Sequence, residues 1–436
     1  MVEMPGFWGE TDGRGFSTPE SLRASQEIDE RLVEHKKVLE KKKNSIQILL
    51  LGQSESGKSS VLKNFQLAFA PKRFEEERIV WKTIVQLNLI RSVKTILESL
   101  QSEWESTDDP ETSQLNRNLR RIRLGLSPLL FVESNILQLI SSGSHKYRDV
   151  YVRPGCDWKA VLKSRVMQAA DGARNKRRSR NPMTKEYDPT SILAASKDDI
   201  MFLWNDPGVQ AVLRKQGIRI EDMPGFFLND IARIADINYV PTDRDIMRAR
   251  IRSLGVEEHH FIVEKGLGVG SDIYVTDVGG RRSQRPKWIS YFEHIQTIVF
   301  LAPLAFNQTL EEAPEVNRLE DSLTLWQDIC RNRLLANATL IVFFNKKDIL
   351  SATLATGVMV NKYVPSFGDR PNEVAAVTKY FCDKFRAYHR KLSPFPRTFM
   401  FYETSAIDTS SMAALLVRVR ETILRLYIQQ GSISEL

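Results

Sequence analysis

Residues 52–59 limit the possible folds of this chain more than any other feature. They read GQSESGKS and fit GxxxxGK[ST], the pattern of a phosphate-binding loop. The apolar run Ile46–Leu51 precedes them and a helix-compatible run follows, which is the strand–loop–helix context that the motif needs. In such a loop, backbone N–H groups surround the phosphates, Lys58 reaches the β and γ phosphates and the Ser59 hydroxyl binds Mg²⁺. The chain is therefore predicted to contain a nucleotide-binding α/β domain.

A second motif, Asn345-Lys346-Lys347-Asp348, indicates which base such a site accepts. It follows an apolar strand-like run, and the carboxyl ends of strands are where an open α/β sheet holds its ligand. The Asp348 carboxylate can accept hydrogen bonds from guanine N1–H and N2–H₂, which adenine does not offer together. Asn345 and the stem of Lys346 brace the pocket. The motif predicts selection of GTP over ATP.

Two shorter segments complete the predicted site. Asp277-Val278-Gly279-Gly280 ends another strand-like run, so Asp277 is predicted to hold Mg²⁺ and Gly280 to bring its N–H against the γ-phosphate. Thr404-Ser405-Ala406 follows the last strand-like run and is predicted to offer a backbone N–H to the guanine oxygen.

Strand-like and helical segments alternate after Val240, which indicates a doubly wound α/β sheet. The expected strands are Ile46–Leu51, 273–276, 297–301, 339–344 and 398–402. Between the first two lies a long helical stretch that starts with an amphipathic helix over residues 74–100. A charged N-terminal helix is expected from Ser17, and the basic, Pro-terminated residues 171–197 are predicted to be a flexible insertion.

Composition and charge exclude several classes of protein. Three scattered cysteines favour neither a disulfide framework nor a zinc site. The net charge of +8 sits largely in local basic runs without a recognised nucleic-acid module, so no nucleic-acid partner is predicted. Neither a membrane-spanning run nor a signal peptide is found, and a cytoplasmic protein is expected.

These motifs, in this order, resemble those of the alpha subunits of heterotrimeric G proteins. The family's GxGESGKS corresponds to residues 52–59, its arginine-bearing switch to residues 245–255, and its DVGGQRSERKKW to residues 277–288. Further similarity lies in the helical stretch, in Phe74-Glu75-Glu76-Glu77-Arg78 and in residues 203–209, and the resemblance extends over residues 20–436 apart from insertions.

The resemblance implies a Ras-like doubly wound P-loop GTPase domain with an inserted all-α helical domain and an N-terminal helix. The implied boundaries are an N-terminal segment at 1–45, the GTPase domain at 46–66 and 246–436, and the helical domain at 67–245. It implies GTP or GDP as the bound nucleotide and Mg²⁺ as the cofactor.

The motifs and the resemblance together assign roles to individual residues. Arg250 is implied to be the catalytic arginine supplied in cis. Mg²⁺ is implied to bind Ser59 and Ser253 directly and Asp277 through water. Ser253 stands where the family usually has threonine and keeps the oxygen ligand. The nucleotide contacts are predicted to be Glu55, Ser56, Gly57, Lys58, Ser59, Ser60, Asp222, Arg248, Arg250, Asp277, Gly280, Asn345, Lys346, Asp348 and Ala406.

Two departures from the family pattern bear on hydrolysis. Arg281 stands where the family has the glutamine that orients the attacking water, and a guanidinium group has donors but no acceptor. Ser54 replaces a glycine of the phosphate-binding loop and brings a side chain close to the γ-phosphate. Both predict slow hydrolysis, with a penalty of about 10² to 10³ in rate. Gln284 and Gln53 are alternative carboxamides, although neither occupies the family position.

The resemblance also implies partners and location. The N-terminal helix and residues 281–293 would contact the beta-gamma dimer, and the C-terminal helix would face a seven-helix receptor. An effector such as adenylyl cyclase and a GTPase-activating regulator are further implied partners. The start MVEMPGFWGE has no lipidation motif, so peripheral association with the inner face of the plasma membrane is expected to depend on partners.

Three functions remain open at this point. The first is a regulatory GTPase with slow intrinsic hydrolysis. The second is a non-cycling scaffold that holds GTP, which Arg281 and Ser54 favour and the retained Arg250 disfavours. The third, a P-loop ATPase or small-molecule kinase, gives no account of residues 345–348 or of the arginine in cis.

Overall fold

A computed structural model of the chain describes residues 45–106, 121–141, 151–152, 158–165, 189–253, 255–264, 269–293 and 295–429, and four single positions before residue 45. The chain divides into two units, Met1–Ser45 and Ile46–Leu436. In the first unit the four positions, 29, 33, 36 and 40, are helical, as predicted, and the rest of the predicted N-terminal helix lies outside the described residues.

The second unit is built on a six-stranded sheet with five parallel strands and one antiparallel edge strand. The strands in chain order are β1 Ile46–Leu51, β2 Tyr151–Val152, β3 Arg252–Ser253, β4 Val256–Ile262, β5 Asp272–Val278, β6 Thr297–Pro303, β7 Thr309–Leu310, β8 Ala313–Asn317, β9 Thr339–Asn345 and β10 Phe399–Glu403. The order across the sheet is β10-β9-β6-β1-β5-β4, and short pairs form between β2 and β3 and between β7 and β8.

Helices surround this sheet and fill the stretch between β1 and β4. They are α1 Lys58–Phe69, α2 Pro71–Ser106, α3 Ser127–Ser141, α4 Thr190–Ala195, α5 Lys197–Asn205, α6 Pro207–Lys215, α7 Ile231–Ile234, α8 Asp243–Arg248, α9 Arg318–Arg331, α10 Lys347–Ala355, α11 Val374–Leu392 and α12 Thr409–Gln429. Residues 121–125 and 158–165 are also helical. Shorter 3₁₀ helices form at Ile220–Asp222, Leu228–Asp230, Arg282–Tyr291, Arg333–Leu335, Val360–Lys362 and Pro365–Phe367.

The sheet is buried on both faces, which confirms the predicted doubly wound arrangement. Successive side chains of a strand point to opposite faces, so β1 contributes to two cores. Leu49 and Leu51 pack with residues of α9 and α11, whereas Ile48 and Leu50 pack with residues of α1 and α12. All five predicted strands are present, each within two residues of its predicted limits.

A third core lies in the helical stretch. It contains buried apolar residues from Phe74 to Ala249, contributed by α2 and the helices that follow. The apolar positions predicted on residues 74–100 are buried, and α2 extends beyond them to 36 residues. The predicted limits at 66 and 245 fall inside α1 and α8. Buried residues of the sheet-packed core extend to Ala70, and those of the helical core extend from Phe74 to Ala249.

The C-terminal part of the predicted insertion is ordered helix, so the limit at residue 197 is wrong. Residues 189–197 hold α4 and the start of α5, and the Leu193 side chain is fully buried. Pro189 at the N-cap position starts the helix, because its fixed φ is already helical. Residues 171–188 lie outside the described residues.

Strand β4 at the edge of the sheet was not predicted. It reads VEEHHFI and pairs antiparallel with β5 over its seven residues. Its side chains are mostly polar and half-buried, so it lacks the apolar pattern on which strand prediction depends. No described helix is long and apolar enough to cross a membrane.

Lys63 on α1 links the sheet-packed part to the end of the helical stretch. Its ammonium group donates to the Ile246 carbonyl at 2.8 Å and to the Ala249 carbonyl at 2.6 Å. It also lies 4.2 Å from the Trp81 ring centroid. Burial, together with the charge of Lys159, lowers the pKa of Lys63 from 10.5 to about 7.

Lys63→Met is expected to change how stability depends on pH. Between pH 7 and 10.5, the unfolded chain holds a proton that folded Lys63 releases, so Lys63 makes the free energy of unfolding rise with pH. The difference between wild type and variant should grow by about 1 kcal/mol per pH unit in chemical denaturation at fixed GDP concentration. Exposed Lys362→Met is the matched control. Parallel pH profiles for wild type and Lys63→Met would contradict the shift.

Candidate functional site

Residues 52–59 form a tight loop between the carboxyl end of β1 and the first turn of α1. Gly52 and Gly57 have φ values of 145° and 100°. A Cβ on Gly52 would lie 2.7 Å from the Leu301 carbonyl oxygen, and one on Gly57 would lie 2.2 Å from Asn345 Nδ2. Both positions therefore require glycine for conformation and for space. Glu55 also has a positive φ, of 62°.

Lys58 is held at the centre of this loop. Its ammonium group donates to the carbonyls of Gly52 and Gln53 at 2.8 and 2.9 Å. Burial lowers the pKa of Lys58 to about 8, partly offset by the nearby Asp277 carboxylate. A bound anion such as a phosphate would stabilise the charged form of this lysine.

Ser59 and Asp277 lie side by side, as the magnesium prediction requires. The Ser59 hydroxyl donates to Asp277 Oδ2 at 3.1 Å, and Asp277 is buried. Asp277 Oδ1 is buried without a hydrogen-bond partner among the described residues. Burial also raises the pKa of this carboxyl. An unpaired carboxylate oxygen beside a hydroxyl is a donor set that suits Mg²⁺. Ser253 is in β3, but its side chain lies outside the described residues.

Asn345 joins the three loops at the base end of the site. Its Nδ2 donates to the Ser56 carbonyl at 2.8 Å, and its Oδ1 accepts from Ala406 N at 3.1 Å and from Thr404 Oγ1 at 3.2 Å. Asp348, in the first turn of α10, accepts from the Ser405 hydroxyl at 2.7 Å. The phosphate-binding loop and the 345–348 motif, which lie 289 residues apart at Ser56 and Asn345, are therefore in contact.

Lys346 takes a left-handed backbone conformation, with φ 65°, directly before α10. Burial lowers the pKa of Lys346 to about 8, and the neighbouring Arg318 guanidinium adds to this effect. The half-buried Lys346 side chain lies along the cavity wall.

Arg250 is held by contacts to its backbone and to its side chain. Asn88 on α2 accepts from Arg250 N at 2.7 Å and donates to Arg250 O at 3.0 Å. The Arg250 guanidinium donates to Glu55 at 2.8 Å, and Arg318 pairs with the same carboxylate at 3.2 Å. Burial alone would raise the pKa of Glu55, but the two guanidinium groups hold it at about 2. Glu55 is therefore an anion fixed between two arginines.

Gly280 packs directly against the phosphate-binding loop. Ser54 N donates to the Gly280 carbonyl at 3.1 Å. A Cβ on Gly280 would lie 2.4 Å from Gln53 C and from Ser54 N, so the two backbones are in close contact. Arg281 follows directly, and both Arg281 and Ser54 line the same cavity.

This cavity has a volume of about 430 Å³. Its wall includes most of the predicted nucleotide contacts, namely Glu55, Gly57, Lys58, Ser59, Ser60, Arg248, Arg250, Asp277, Gly280, Asn345, Lys346, Asp348 and Ala406. Ser56 does not line it, because its side chain is turned inward and almost fully buried. The side chain of Asp222 lies outside the described residues, although its neighbours Glu221 and Met223 line the cavity.

Two of the lining residues are tied to the helical stretch. Arg248 donates to the Phe226 carbonyl at 2.7 Å and to Asp230 at 3.1 Å, and the Ser60 hydroxyl donates to the Met247 carbonyl at 3.2 Å. The cavity wall is therefore attached to the helical stretch as well as to the sheet.

Sequence reasoning missed Asn88, Arg318 and Asp321. Asn88 and Arg318 contact Arg250 and Glu55, and Asp321 binds Arg285 through both oxygens, at 2.8 and 2.6 Å. None of the three belongs to a local motif, so the sequence carries no signal for them without their spatial partners.

Comparison with known proteins gives a consistent result. The family model described as G-protein alpha subunit matches residues 22–423. A guanine nucleotide-binding protein alpha-4 subunit of Mycosarcoma maydis is 30% identical over 88% of this chain and 83% of its own length. An alpha-2 subunit of Neurospora crassa is 27% identical over 96% of this chain and 98% of its own. A guanine nucleotide-binding protein subunit alpha of Emericella nidulans is 27% identical over 95% of this chain and 97% of its own length.

Proposed function

Because the chain belongs to the G-protein alpha subunit family, a family of GTP-binding signalling switches with GTPase activity, we propose that the 430 Å³ cavity binds GTP and hydrolyses it slowly. The observation that carries the proposal is the convergence of Lys58, Asp277 and Asp348 on that cavity. Each supplies one of the three recognitions that GTP with Mg²⁺ requires: phosphate, metal and base.

The residues around the cavity suit distinct parts of the nucleotide. Lys58 and the loop N–H groups face the phosphates, and Asp348 with Lys346 and Ala406 receives the guanine. Mg²⁺, when bound, would be held by Ser59 and Ser253 with Asp277 through water, and it would neutralise charge on the phosphates. The unpaired Asp277 Oδ1 supports this assignment.

Slow hydrolysis rests on Arg281 and Ser54. A guanidinium group cannot accept a hydrogen bond from the attacking water, so Arg281 cannot orient that water as a glutamine does. Arg250 is retained and lies on the cavity wall. We therefore infer that bound GTP is hydrolysed more slowly than in family members that have the glutamine, but that it is still hydrolysed.

The switch would act through segments 246–256 and 278–293, which contact the γ-phosphate side of the cavity. Residues 67–245 would form the inserted helical domain and residues 46–66 with 246–436 the GTPase domain. Separate hydrophobic cores, which change after Ala70 and after Ala249, support a division near these limits. The family implies beta-gamma, receptor and effector partners in general. For this chain we propose contact with a beta-gamma dimer through residues 281–293 and peripheral membrane association through partners.

A non-cycling GTP-binding scaffold is the second candidate. It is favoured by Arg281, which lines the cavity where the family has a glutamine. The two candidates differ in one measurable quantity, the rate at which preloaded GTP is hydrolysed, which a scaffold would not raise above the rate in buffer.

Lys58→Ala and Asp348→Asn test the nucleotide site separately. Lys58→Ala should weaken GTP binding by about 100-fold or more, because the buried cation that faces the phosphates is lost. Asp348→Asn should remove contacts to the guanine base and leave the contacts to the triphosphate. The preference for GTP over ATP should therefore fall by at least about tenfold. Equilibrium binding of fluorescent GTP with GTP and ATP as competitors measures both. Unchanged binding in both variants would refute the site.

A further inference from the structure

Arg281 stands where the family has the glutamine that orients the attacking water, so another side chain must take that role if GTP is hydrolysed. The structure describes two glutamines at or near the phosphate-binding loop, Gln53 and Gln284. Their surroundings differ sharply, and this difference decides between them.

Gln53 is fully buried behind the loop. Its Nε2 is engaged, and its Oε1 is buried without a partner among the described residues. Its Nε2 donates to the Arg318 carbonyl at 2.7 Å and also to the Ser322 hydroxyl. Gln53 does not line the cavity. It supports the loop and has no path to a water beside the γ-phosphate.

Gln284 does line the cavity. Its carboxamide lies over Gly279, where a Cβ would be 2.1 Å from Gln284 Oε1 and 3.2 Å from Nε2. Gly279 is in turn fixed by Trp288, whose Nε1 donates to the Gly279 carbonyl at 2.9 Å. In the described part of the chain, no hydrogen bond engages the Gln284 carboxamide, which is half-buried. Its donor and its acceptor remain available to a molecule in the cavity.

The local backbone brings Gln284 to the same cavity as Arg281. The 3₁₀ helix Arg282–Tyr291 starts from Arg281 as its N-cap, and Gln284 N donates to the Arg281 carbonyl at 2.9 Å. Arg281 itself has an extended backbone, with φ −64° and ψ 144°, and the chain turns back after it so that Arg281 and Gln284 both line the cavity.

Most other acceptors on the cavity wall have partners, and the unpaired Asp277 Oδ1 is assigned to Mg²⁺ in the proposed function. Glu55 is paired with Arg250 and Arg318, and Asp348 lies at the base end beside Ser405. The remaining carboxamide of the wall, Asn345, holds the loops together. Among the described residues of the wall, Gln284 is therefore the carboxamide whose donor and acceptor are both unengaged.

We propose that Gln284 positions the water that attacks GTP in this protein, and this inference rests on the proposed function. The water oxygen forms a bond to the γ-phosphorus, and the bond from that phosphorus to the β–γ bridging oxygen breaks with its electron pair going to GDP. The water proton ends on inorganic phosphate. The Gln284 oxygen accepts a hydrogen bond from the water, and the amide undergoes no net change.

Gln284→Ala is expected to lower single-turnover hydrolysis of preloaded GTP by about 10²- to 10³-fold, the usual range for losing one oriented polar group. GTP dissociation should stay within about twofold, since the nucleotide contacts of the cavity are untouched. Exposed Ser283→Ala, in the same 3₁₀ helix, is the matched control and should hydrolyse GTP like the wild type.

Repeating Gln284→Ala in an Arg281→Gln protein shows whether Gln284 positions water or only supports the structure. In an Arg281→Gln protein the new glutamine faces the same water, so adding Gln284→Ala should cost little. An equal loss in both backgrounds, or no loss in the wild-type background, would overturn the inference. A wild type that binds GTP but hydrolyses it no faster than buffer would also overturn it. Failure to load GTP at all would instead sink the proposed function.

Discussion

Arg250→Ala is expected to lower the single-turnover rate of GTP hydrolysis by about 10³-fold or more, because an arginine that neutralises the transferred phosphoryl group contributes about 10³ to 10⁵ in rate. The effect should appear in the rate of hydrolysis more than in GTP affinity. Preloaded protein, mixed with Mg²⁺ and followed by phosphate release, gives the measurement directly.

The structure makes this variant easy to interpret. Asn88 holds both the N–H and the carbonyl of Arg250, so the backbone is fixed by contacts that the substitution does not remove. Glu55 keeps its ion pair with Arg318. Arg244→Ala, an exposed arginine in α8, is the matched control. A rate within about threefold of wild type would assign charge neutralisation to another group.

Arg281→Gln is expected to act in the opposite direction and to raise the hydrolysis rate by about 10² to 10³. Glutamine restores a group that donates and accepts at once, on the side of the 3₁₀ helix that faces the cavity. Nucleotide dissociation, measured in parallel with a labelled GTP analogue, shows whether the faster step is hydrolysis or release.

Arg281→Gln removes a guanidinium group and adds a carboxamide, whereas Arg281→Ala only removes the guanidinium group. Comparing the two variants shows which change alters the hydrolysis rate. Alanine should leave hydrolysis slow, since it removes a bulky cation without adding an acceptor. If alanine accelerates hydrolysis as much as glutamine does, Arg281 obstructs the site rather than merely failing to assist. If neither variant changes the rate, the inference of impaired hydrolysis is wrong.

The central sheet was predictable because its strands are short, apolar and followed by motif residues. The edge strand β4 was not, since VEEHHFI carries charge at positions that a sheet edge leaves half-buried. The helix over Thr190–Ala195 was assigned to a flexible insertion because a basic, polar run directly before it dominated the local composition. In both cases tertiary packing decided the structure where local pattern was weak.

The candidate site divides in the same way. Lys58 and Asp348 lie in motifs whose spacing is fixed by strand–loop–helix geometry, so their meeting at one edge of the sheet could be predicted. Asn88 could not be, because it contacts Arg250 across 162 residues. The position of Gln284 depends on a 3₁₀ turn, which a sequence motif written for its neighbours does not specify.

Helix α2 contacts both Arg250 and the edge of the sheet. Near its first turn, Arg73 donates to the His260 carbonyl of β4 at 2.9 Å, and further along Asn88 holds Arg250 by its backbone. The two contacts are about 22 Å apart along the axis, at 1.5 Å per residue. Helix α2 therefore contacts both the edge strand and the backbone of Arg250. A shift of α2 that keeps the Asn88 contacts would move Arg250 and strain the exposed Arg73 bond to the edge strand at the same time.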